Sequence, residues 1–272
     1  MSVMSREFIP GVYLIQECIL ISDSNDMAAT LNNKPQDWYK PGRDVHIQLN
    51  AFLFVGEKTL LFDTLSGLHS DQIVEELRQI LGDKTLDYVV ISHTDVPHCA
   101  NAFRLLREYP EATLVAPKAG STHELFHLGD AMKVGPGDTI DLGGHVLKFH
   151  EAIFLDAAMS HWMTEENSKM LLTVDWMGFP HTDEECGTCV DELESEVTVS
   201  RLLEHHGRVF LWYQYVDVPK THAEIDRIIE TFKPSIVASA HGSVIRKDAA
   251  KYLHMMKPVV RQMSEQGRLG TF

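Results

Sequence analysis

Six side chains of metal-ligand type stand at or just beyond the ends of apolar, strand-like runs in this sequence. They are His93, Asp95, His98, His161, Asp175 and His241. Four imidazoles and two carboxylates placed at strand ends can hold one or two transition-metal ions. We therefore expect a bound metal to form the functional centre of this protein.

Three of these residues share one short loop. In the run His93-Thr94-Asp95-Val96-Pro97-His98, the ligand-type side chains are two and three positions apart. A loop this tight can offer ligands to both members of an ion pair about 3.5–4 Å apart. Because the set contains nitrogen and oxygen donors and no sulfur, it favours iron, manganese or zinc over copper(I) or an iron–sulfur cluster.

Composition restricts the class of protein and partner. The chain has 272 residues, of which 44% are hydrophobic and 23% charged, as expected of a globular protein with a sizeable core. Its net charge of −15 argues against nucleic-acid binding, because phosphate contacts need clustered lysines and arginines. We also expect no membrane association and a cytoplasmic location, because no apolar run approaches the ~18 residues of a membrane helix and the first residues do not resemble a signal peptide.

Four cysteines, Cys18, Cys99, Cys186 and Cys189, are too few for a disulfide scaffold. The last two have C-x-x-C spacing, which suits redox exchange or half of a zinc site. The acidic residues that flank them disfavour a thiolate. We interpret this segment as a solvated loop, with a redox role as the alternative.

Hydrophobic periodicity predicts alternating strands and helices. Strands are expected at 12–20, 47–55, 60–62, 87–91, 113–116, 138–141, 145–150, 209–215 and 235–240. Helices are expected at 71–81, 101–109, 192–206, 221–232 and 248–264. This order predicts an α/β fold in a single domain over residues 1–272, with two strand-rich halves packed face to face and helices outside.

The order of the motifs resembles the metallo-β-lactamase superfamily and, within it, the diiron module of flavodiiron proteins. The superfamily loop reads His-x-His-x-Asp-His, and flavodiiron proteins have Glu in place of the second His, where this chain has Asp95. Ser160-His161-Trp162, Val174-Asp175-Trp176 and Ala240-His241-Gly242 are similar to the later ligand segments of the family. The resemblance covers residues from about 10 to 246, and it implies an αββα sandwich of the metallo-β-lactamase type.

The resemblance also implies two iron ions, with zinc or manganese as the alternatives. It assigns His93, Asp95 and His161 to the first iron and makes Asp175 a bridging ligand. Asp63 is expected to accept hydrogen bonds that orient the ligands.

The second iron would be held by Asp175, His98 and His241. The family's remaining ligand, an Asp, falls at Pro97, which has no donor side chain. The second site is therefore expected to be weaker, open or empty.

His181 and Tyr213 match positions that line the oxygen pocket of the family. An imidazole or a phenol at such a position can donate a hydrogen bond to the oxygen ligand. The alternative for both residues is a role in packing.

Flavodiiron enzymes reduce dioxygen or nitric oxide with electrons from a flavin in a fused flavodoxin domain. No flavodoxin-like sequence follows here, so we expect an external electron-donor protein and, by resemblance, a homodimer. The prediction is a diiron oxidoreductase that binds and activates or reduces dioxygen or nitric oxide. Two alternatives stay open: an oxygen-binding sensor without turnover, and a zinc-dependent hydrolase of the lactamase type, in which the metal activates water.

Overall fold

The computed structural model describes residues 3–22, 37–40, 42–118 and 131–267. The chain divides into two compact units. The first unit comprises Met1–Cys18 and Leu49–Asn167, and the second comprises Ile19–Gln48 and Ser168–Phe272. The single domain expected from the sequence stays a prediction.

Strands and helices alternate along the described chain. The strands are β1 (Val3–Ile9), β2 (Val12–Ser22), β3 (Val45–Val55), β4 (Thr59–Phe62), β5 (Tyr88–Val90), β6 (Thr113–Pro117), β7 (Met132–Val134), β8 (Thr139–Asp141), β9 (Val146–Glu151), β10 (His161–Glu165), β11 (Met170–Val174), β12 (His181–Thr182) and β13 (Ile236–Ser239). The α-helices are α1 (Ser70–Leu81), α2 (Val96–Cys99), α3 (Ala102–Glu108), α4 (Val199–Val209), α5 (Val218–Phe232), α6 (Ala249–His254) and α7 (Met256–Gln266). Short 3-10 turns cover Gly67–His69, Asp183–Glu185, Val190–Glu192 and Leu211–Tyr215.

In the first unit, β4, β5, β6 and β7 pair in parallel, and β3 joins β4 as an antiparallel hairpin. Parallel neighbours need a crossover, and α1 supplies the one between β4 and β5. This helix buries Ile73, Val74, Leu77 and Leu81 on one face, and it ends at Gly82, whose φ of +57° suits glycine. The strand β5 leads to His93, and the antiparallel set β8–β9–β10 begins its last strand with His161.

In the second unit, β11 and β13 pair in parallel, and every residue of both strands is buried. Near-continuous apolar runs are typical of strands that are covered on both faces. Asp175 directly follows β11, and His241 lies two residues beyond β13. The two-residue strand β12 pairs with the beginning of β3, which places His181 opposite His46.

Most predicted elements are present with bounds shifted by one or two residues, but the strand predicted at 209–215 is wrong. Helix α4 runs to Val209, and Leu211–Tyr215 forms a 3-10 turn. The aromatic residues that favour a strand locally are used for stacking, because the rings of Phe210 and Tyr213 lie 5.5 Å apart at 29°. Tertiary packing therefore overrides the local preference.

Further differences concern element boundaries and short elements. The helix predicted from residue 192 begins at Val199, where the Thr198 side chain accepts a hydrogen bond from the Arg201 N–H. The helix predicted at 248–264 is divided into α6 and α7. The elements β1, β7, β10, β12 and α2 were not predicted. Within the described ranges, no helix is long and apolar enough to cross a membrane. The cytoplasmic location stays a prediction.

Candidate metal centre

Two of the predicted ligands of the first unit lie close together just beyond β5. His93 is fully buried, and its Nε2 is 3.9 Å from Oδ2 of Asp95. The Asp95 side chain is 65% exposed, at the N-terminal end of the short helix α2. An imidazole nitrogen and a carboxylate oxygen at this separation can approach one cation.

Asp156, which the sequence analysis missed, joins this pair. Its Oδ2 is 3.6 Å from Nε2 of His93, and its side chain is only 11% exposed. One donor atom from each of His93, Asp95 and Asp156 lies within 4.8 Å of the other two. Asp156 lies in the irregular segment between β9 and β10, and neither periodicity nor a motif marks it. Only the fold reveals it as a candidate ligand.

His161 has the features of a metal ligand. Its imidazole lies edge-on to the rings of Phe149 and Phe62, at centroid distances of 5.2 and 6.2 Å. Both of its ring nitrogens are buried, and neither has a hydrogen-bond partner among the described residues. Burial lowers the pKa of His161 to about 4, so the ring is neutral at pH 7. Buried polar atoms nearly always have a bonding partner, and a bound metal ion would provide one for a ring nitrogen of His161.

His98 is oriented by a buried network of side chains. Its Nδ1 donates a hydrogen bond to Oδ2 of Asp63 at 2.7 Å. The Asp63 carboxylate also accepts hydrogen bonds from the backbone N–H and the hydroxyl of Ser92, at 2.9 and 3.0 Å. The predicted role of Asp63 as an acceptor is confirmed. Because Nδ1 carries the proton, Nε2 of His98 keeps its lone pair for a metal.

Asp175 and His241 form a close pair in the second unit. Oδ1 of Asp175 is 2.6 Å from Nε2 of His241. Nδ1 of His241 donates to the backbone carbonyl of Gln48 at 3.1 Å, which places the ring proton on that nitrogen. Nε2 and the carboxylate oxygen are then both acceptors, so their proximity requires a cation, either a proton or a metal. This geometry fits a metal-ligand pair.

The backbone around Asp175 is strained and tightly packed. Val174 has φ of +55°, a conformation that is rare for a β-branched residue and costs on the order of 1–3 kcal/mol. His205 donates from Nε2 to the Asp175 carbonyl at 3.0 Å. A Cβ on Gly178 would lie 2.5 Å from the same nitrogen, so the close approach requires glycine. Burial holds the pKa of His205 well below its usual value, which keeps the ring neutral.

His181 is placed with a different set of residues. It is fully buried, and its Nε2 is 3.3 Å from Sγ of Cys186. Its ring also faces that of His46, with centroids 5.7 Å apart. Burial lowers the pKa of His181 to about 3. Cys189 is fully buried and Cys186 half-buried, so the solvated loop predicted for this pair is wrong.

Tyr213 is buried beside Trp176, which directly follows the predicted bridging residue Asp175. Burial raises the pKa of Tyr213 well above 10, so the phenol keeps its proton at neutral pH. Its ring is parallel to that of His206, at 7° and 6.3 Å.

A cavity of about 420 Å³ in the first unit reaches His161. Much of its lining is apolar, including Pro117, Val134, Leu155 and Met159. A small, uncharged molecule can therefore approach this imidazole with little loss of hydration.

Comparison with known proteins is consistent with this geometry. The protein family described as "Metallo-beta-lactamase superfamily" matches residues 46–218 of the chain. Relatives include the flavo-diiron protein FprA2 of Clostridium acetobutylicum, 26% identical over 211 residues that cover 73% of this chain and 50% of the relative. The anaerobic nitric oxide reductase flavorubredoxin of Pectobacterium atrosepticum is 28% identical over 218 residues, covering 76% and 40%. The chain thus spans half, or less, of the length of these relatives.

Solved structures share the fold. The rubredoxin oxygen:oxidoreductase of Desulfovibrio gigas superimposes with a TM-score of 0.72 at 19% identity, over 96% of this chain and 61% of that one. A fragment of a putative diflavin flavoprotein of Nostoc superimposes with 0.74 at 16% identity, over 97% and 98%. The predicted α/β fold of the metallo-β-lactamase type is confirmed. The chain belongs to the metallo-beta-lactamase superfamily, and it has relatives named as flavodiiron proteins.

Proposed function

We propose that this chain is a non-haem diiron protein that reduces or activates dioxygen or nitric oxide with electrons from a separate donor. The observation that carries the proposal is His161, a buried neutral imidazole without a hydrogen-bond partner among the described residues. The names of relatives support iron and small oxidants, because they mention a diiron protein, a nitric oxide reductase and an oxygen:oxidoreductase. Zinc and manganese gain no support from them.

The first iron is held by ligands of the first unit. In this proposal His161 and His93 supply imidazole nitrogens, and Asp95 supplies a carboxylate. The carboxylate of Asp156, 3.6 Å from His93, is a further ligand of the same ion. Hard, negatively charged oxygen donors stabilise the ferric state better than additional imidazoles, so two carboxylates suit an ion that must be oxidised.

In this proposal Asp175 and His241 would hold an iron from the second unit, and their 2.6 Å approach supports that role. In the first unit, His98 keeps its predicted role as a ligand, which its orientation by Asp63 supports. Pro97 has no donor side chain, so the chain offers one ligand fewer than the resemblance implies, which would leave room on the metal for a substrate.

Within each unit, side chains close to the proposed ligands suit a small oxidant. When bound, a pair of ferrous ions supplies electrons, and the donor protein restores them. Tyr213 keeps its phenolic proton because burial raises its pKa, so it is available as a hydrogen-bond donor. His205 holds the Asp175 segment through the backbone carbonyl. The cavity next to His161 is largely apolar and is large enough for a diatomic molecule.

The decisive experiment measures metal content and turnover together. The purified chain is loaded with ferrous iron without air, the iron per chain is measured, and visible and Mössbauer spectra are recorded as dioxygen or nitric oxide is added. We expect two irons per chain and steady consumption of the gas with a chemical reductant. A long-lived coloured adduct without turnover would replace reduction by sensing. A chain that takes up no iron and gives no spectral response, with zinc bound by the proposed iron ligands instead, would contradict the proposal and favour hydrolysis.

The homodimer remains part of this proposal. Sedimentation velocity of the iron-loaded chain is the direct measurement, and a species of twice the chain mass is expected. A monomer at all concentrations would remove the dimer without affecting the diiron assignment, because the ligands named above all belong to one chain.

A further inference from the structure

His46, His181 and Cys186 form a second group of potential ligands, all within the second unit. One donor atom from each lies within 4.8 Å of the other two. Sγ of Cys186 is 3.3 Å from Nε2 of His181 and 3.6 Å from Nδ1 of His46. Both imidazoles are buried, and the thiol is half-buried.

Two elements of secondary structure bring the three side chains together. Antiparallel pairing of β12 with β3 sets His181 directly opposite His46, which places both rings on one face of the ladder. The chain then turns through Asp183–Glu185, which brings Cys186 next to the two imidazoles. The Thr182 side chain caps this turn, and the Glu185 side chain bonds back to the Thr182 N–H.

A buried ion pair holds this turn in position. Nη2 of Arg201 lies 2.7 Å from Oε2 of Glu185, and the Arg201 side chain is 1% exposed. Arg201 also donates to the carbonyl of Pro180, the residue before His181. The segment that carries two of the three donors is therefore anchored at both ends to helix α4, so its geometry is already set before a ligand binds.

The distances match those of a tetrahedral metal site. Bonds of about 2.0–2.1 Å from zinc to nitrogen and about 2.3 Å from zinc to sulfur, at a tetrahedral angle, separate the two donors by about 3.6 Å. The observed separations of 3.3 and 3.6 Å are close to this value. On its other side, Nε2 of His46 is 3.7 Å from Oδ1 of Asp183, whose side chain is 78% exposed, so this contact is longer than a hydrogen bond.

We propose that His46, His181 and Cys186 bind a divalent cation of the zinc class, separately from the iron ligands. Two imidazoles and one thiolate are the donors that such an ion prefers, and the set lacks the carboxylates that favour iron. On binding, the Cys186 thiol loses its proton to solvent and the sulfur bonds to the cation. No oxidant or reductant takes part.

Cys189 provides a matched control for this proposal. It is the other cysteine of the C-x-x-C pair, it is buried, and it is not paired in a disulfide. Its sulfur accepts a backbone hydrogen bond that caps the turn Val190–Glu192. A metal site built on Cys186 needs the first cysteine alone, whereas a redox pair needs both.

Cobalt(II) titration of the metal-free full-length chain tests the proposal, because cobalt bound to a thiolate gives a charge-transfer band that nitrogen and oxygen ligands do not. We expect this band to reach the same maximum in the wild type, in Cys189→Ser and in His161→Ala. We expect Cys186→Ser to lose it, with zinc affinity reduced at least about 100-fold, beyond the 10–100-fold cost of an outer residue. Absence of the band in the wild type, or its loss in Cys189→Ser with retention in Cys186→Ser, would overturn the proposal.

A second measurement does not depend on any variant. X-ray absorption at the zinc edge of iron-loaded wild type with one equivalent of zinc should show sulfur at about 2.3 Å and nitrogen at about 2.0–2.1 Å. A first shell without sulfur would refute the site. Loss of iron binding in His161→Ala would leave the zinc result unchanged, so the two assignments succeed or fail separately.

Discussion

The candidate ligands of the first and second units are held by different kinds of contact. In the first unit His98 depends on a side-chain acceptor, Asp63. In the second unit His241 donates to the backbone carbonyl of Gln48, and His205 donates to that of Asp175. A side-chain contact can be removed by one substitution, but a backbone contact is removed only by changing the path of the chain. We therefore expect substitution of the supporting side chain in the first unit to change metal affinity, and substitutions that disturb the supporting backbone in the second unit to change stability.

The largest expected effect is the loss of iron from His161→Ala. This variant removes the imidazole whose two nitrogens are buried without partners, and with it a proposed ligand of the first ion. At least one iron per chain should be lost, as measured by elemental analysis after anaerobic loading. His150→Ala, on the neighbouring strand β9, is the matched control and should keep its iron. Full iron content in His161→Ala would contradict the assignment.

Asp63→Asn should have a smaller effect on the same measurement. The amide keeps the size of the side chain but loses the charge that holds His98 through its Nδ1. Loss of such an outer contact typically costs 10–100-fold in metal affinity. Competition with a chelator of known affinity provides the readout. An unchanged affinity would show that His98 does not need this acceptor.

Gly178→Ala tests how tightly the second unit is packed around His205. The added Cβ would lie 2.5 Å from Nε2 of His205, and the buried ring has to shift. Overpacking of this kind costs about 1–3 kcal/mol in the free energy of unfolding. Urea unfolding of the metal-free chain measures it. Gly67→Ala is the control, because its Cβ would meet nothing within 4 Å, and equal stability of the two variants would argue against the tight packing.

The smallest expected effect is the acid sensitivity that His206 gives the second unit. Burial lowers its pKa to about 4, whereas in the unfolded chain it is about 6.5. The unfolded state therefore binds more protons between these values, and stability that is present above pH 6.5 is lost as the pH falls towards 4. From pH 6.5 to 5 this residue contributes a loss of about 1.5 kcal/mol. His206→Gln should reduce the pH dependence of urea unfolding by about that amount, and an unchanged slope would contradict it.

Elements with strong hydrophobic periodicity could be predicted from the sequence, but elements that depend on tertiary packing could not. The helix expected at 71–81 is α1 (Ser70–Leu81), because its apolar residues follow a 3.6-residue repeat and Gly82 ends it. The segment 209–215 has the composition of a strand but forms helical turns, because Tyr213 is buried against other rings. Local preference predicts an element only where tertiary contacts agree with it.

The sequence alone determined which residue types can bind a metal and the order in which they occur. His93, His161, Asp175 and His241 were recognisable because each is next to an apolar run or within a motif. The tertiary structure decided which donors meet. It added Asp156 beside His93 and grouped His181 with a cysteine and with His46, which is 140 residues away from that cysteine. Such contacts depend on strand register and on the path of irregular segments, and neither leaves a periodic signal in the chain.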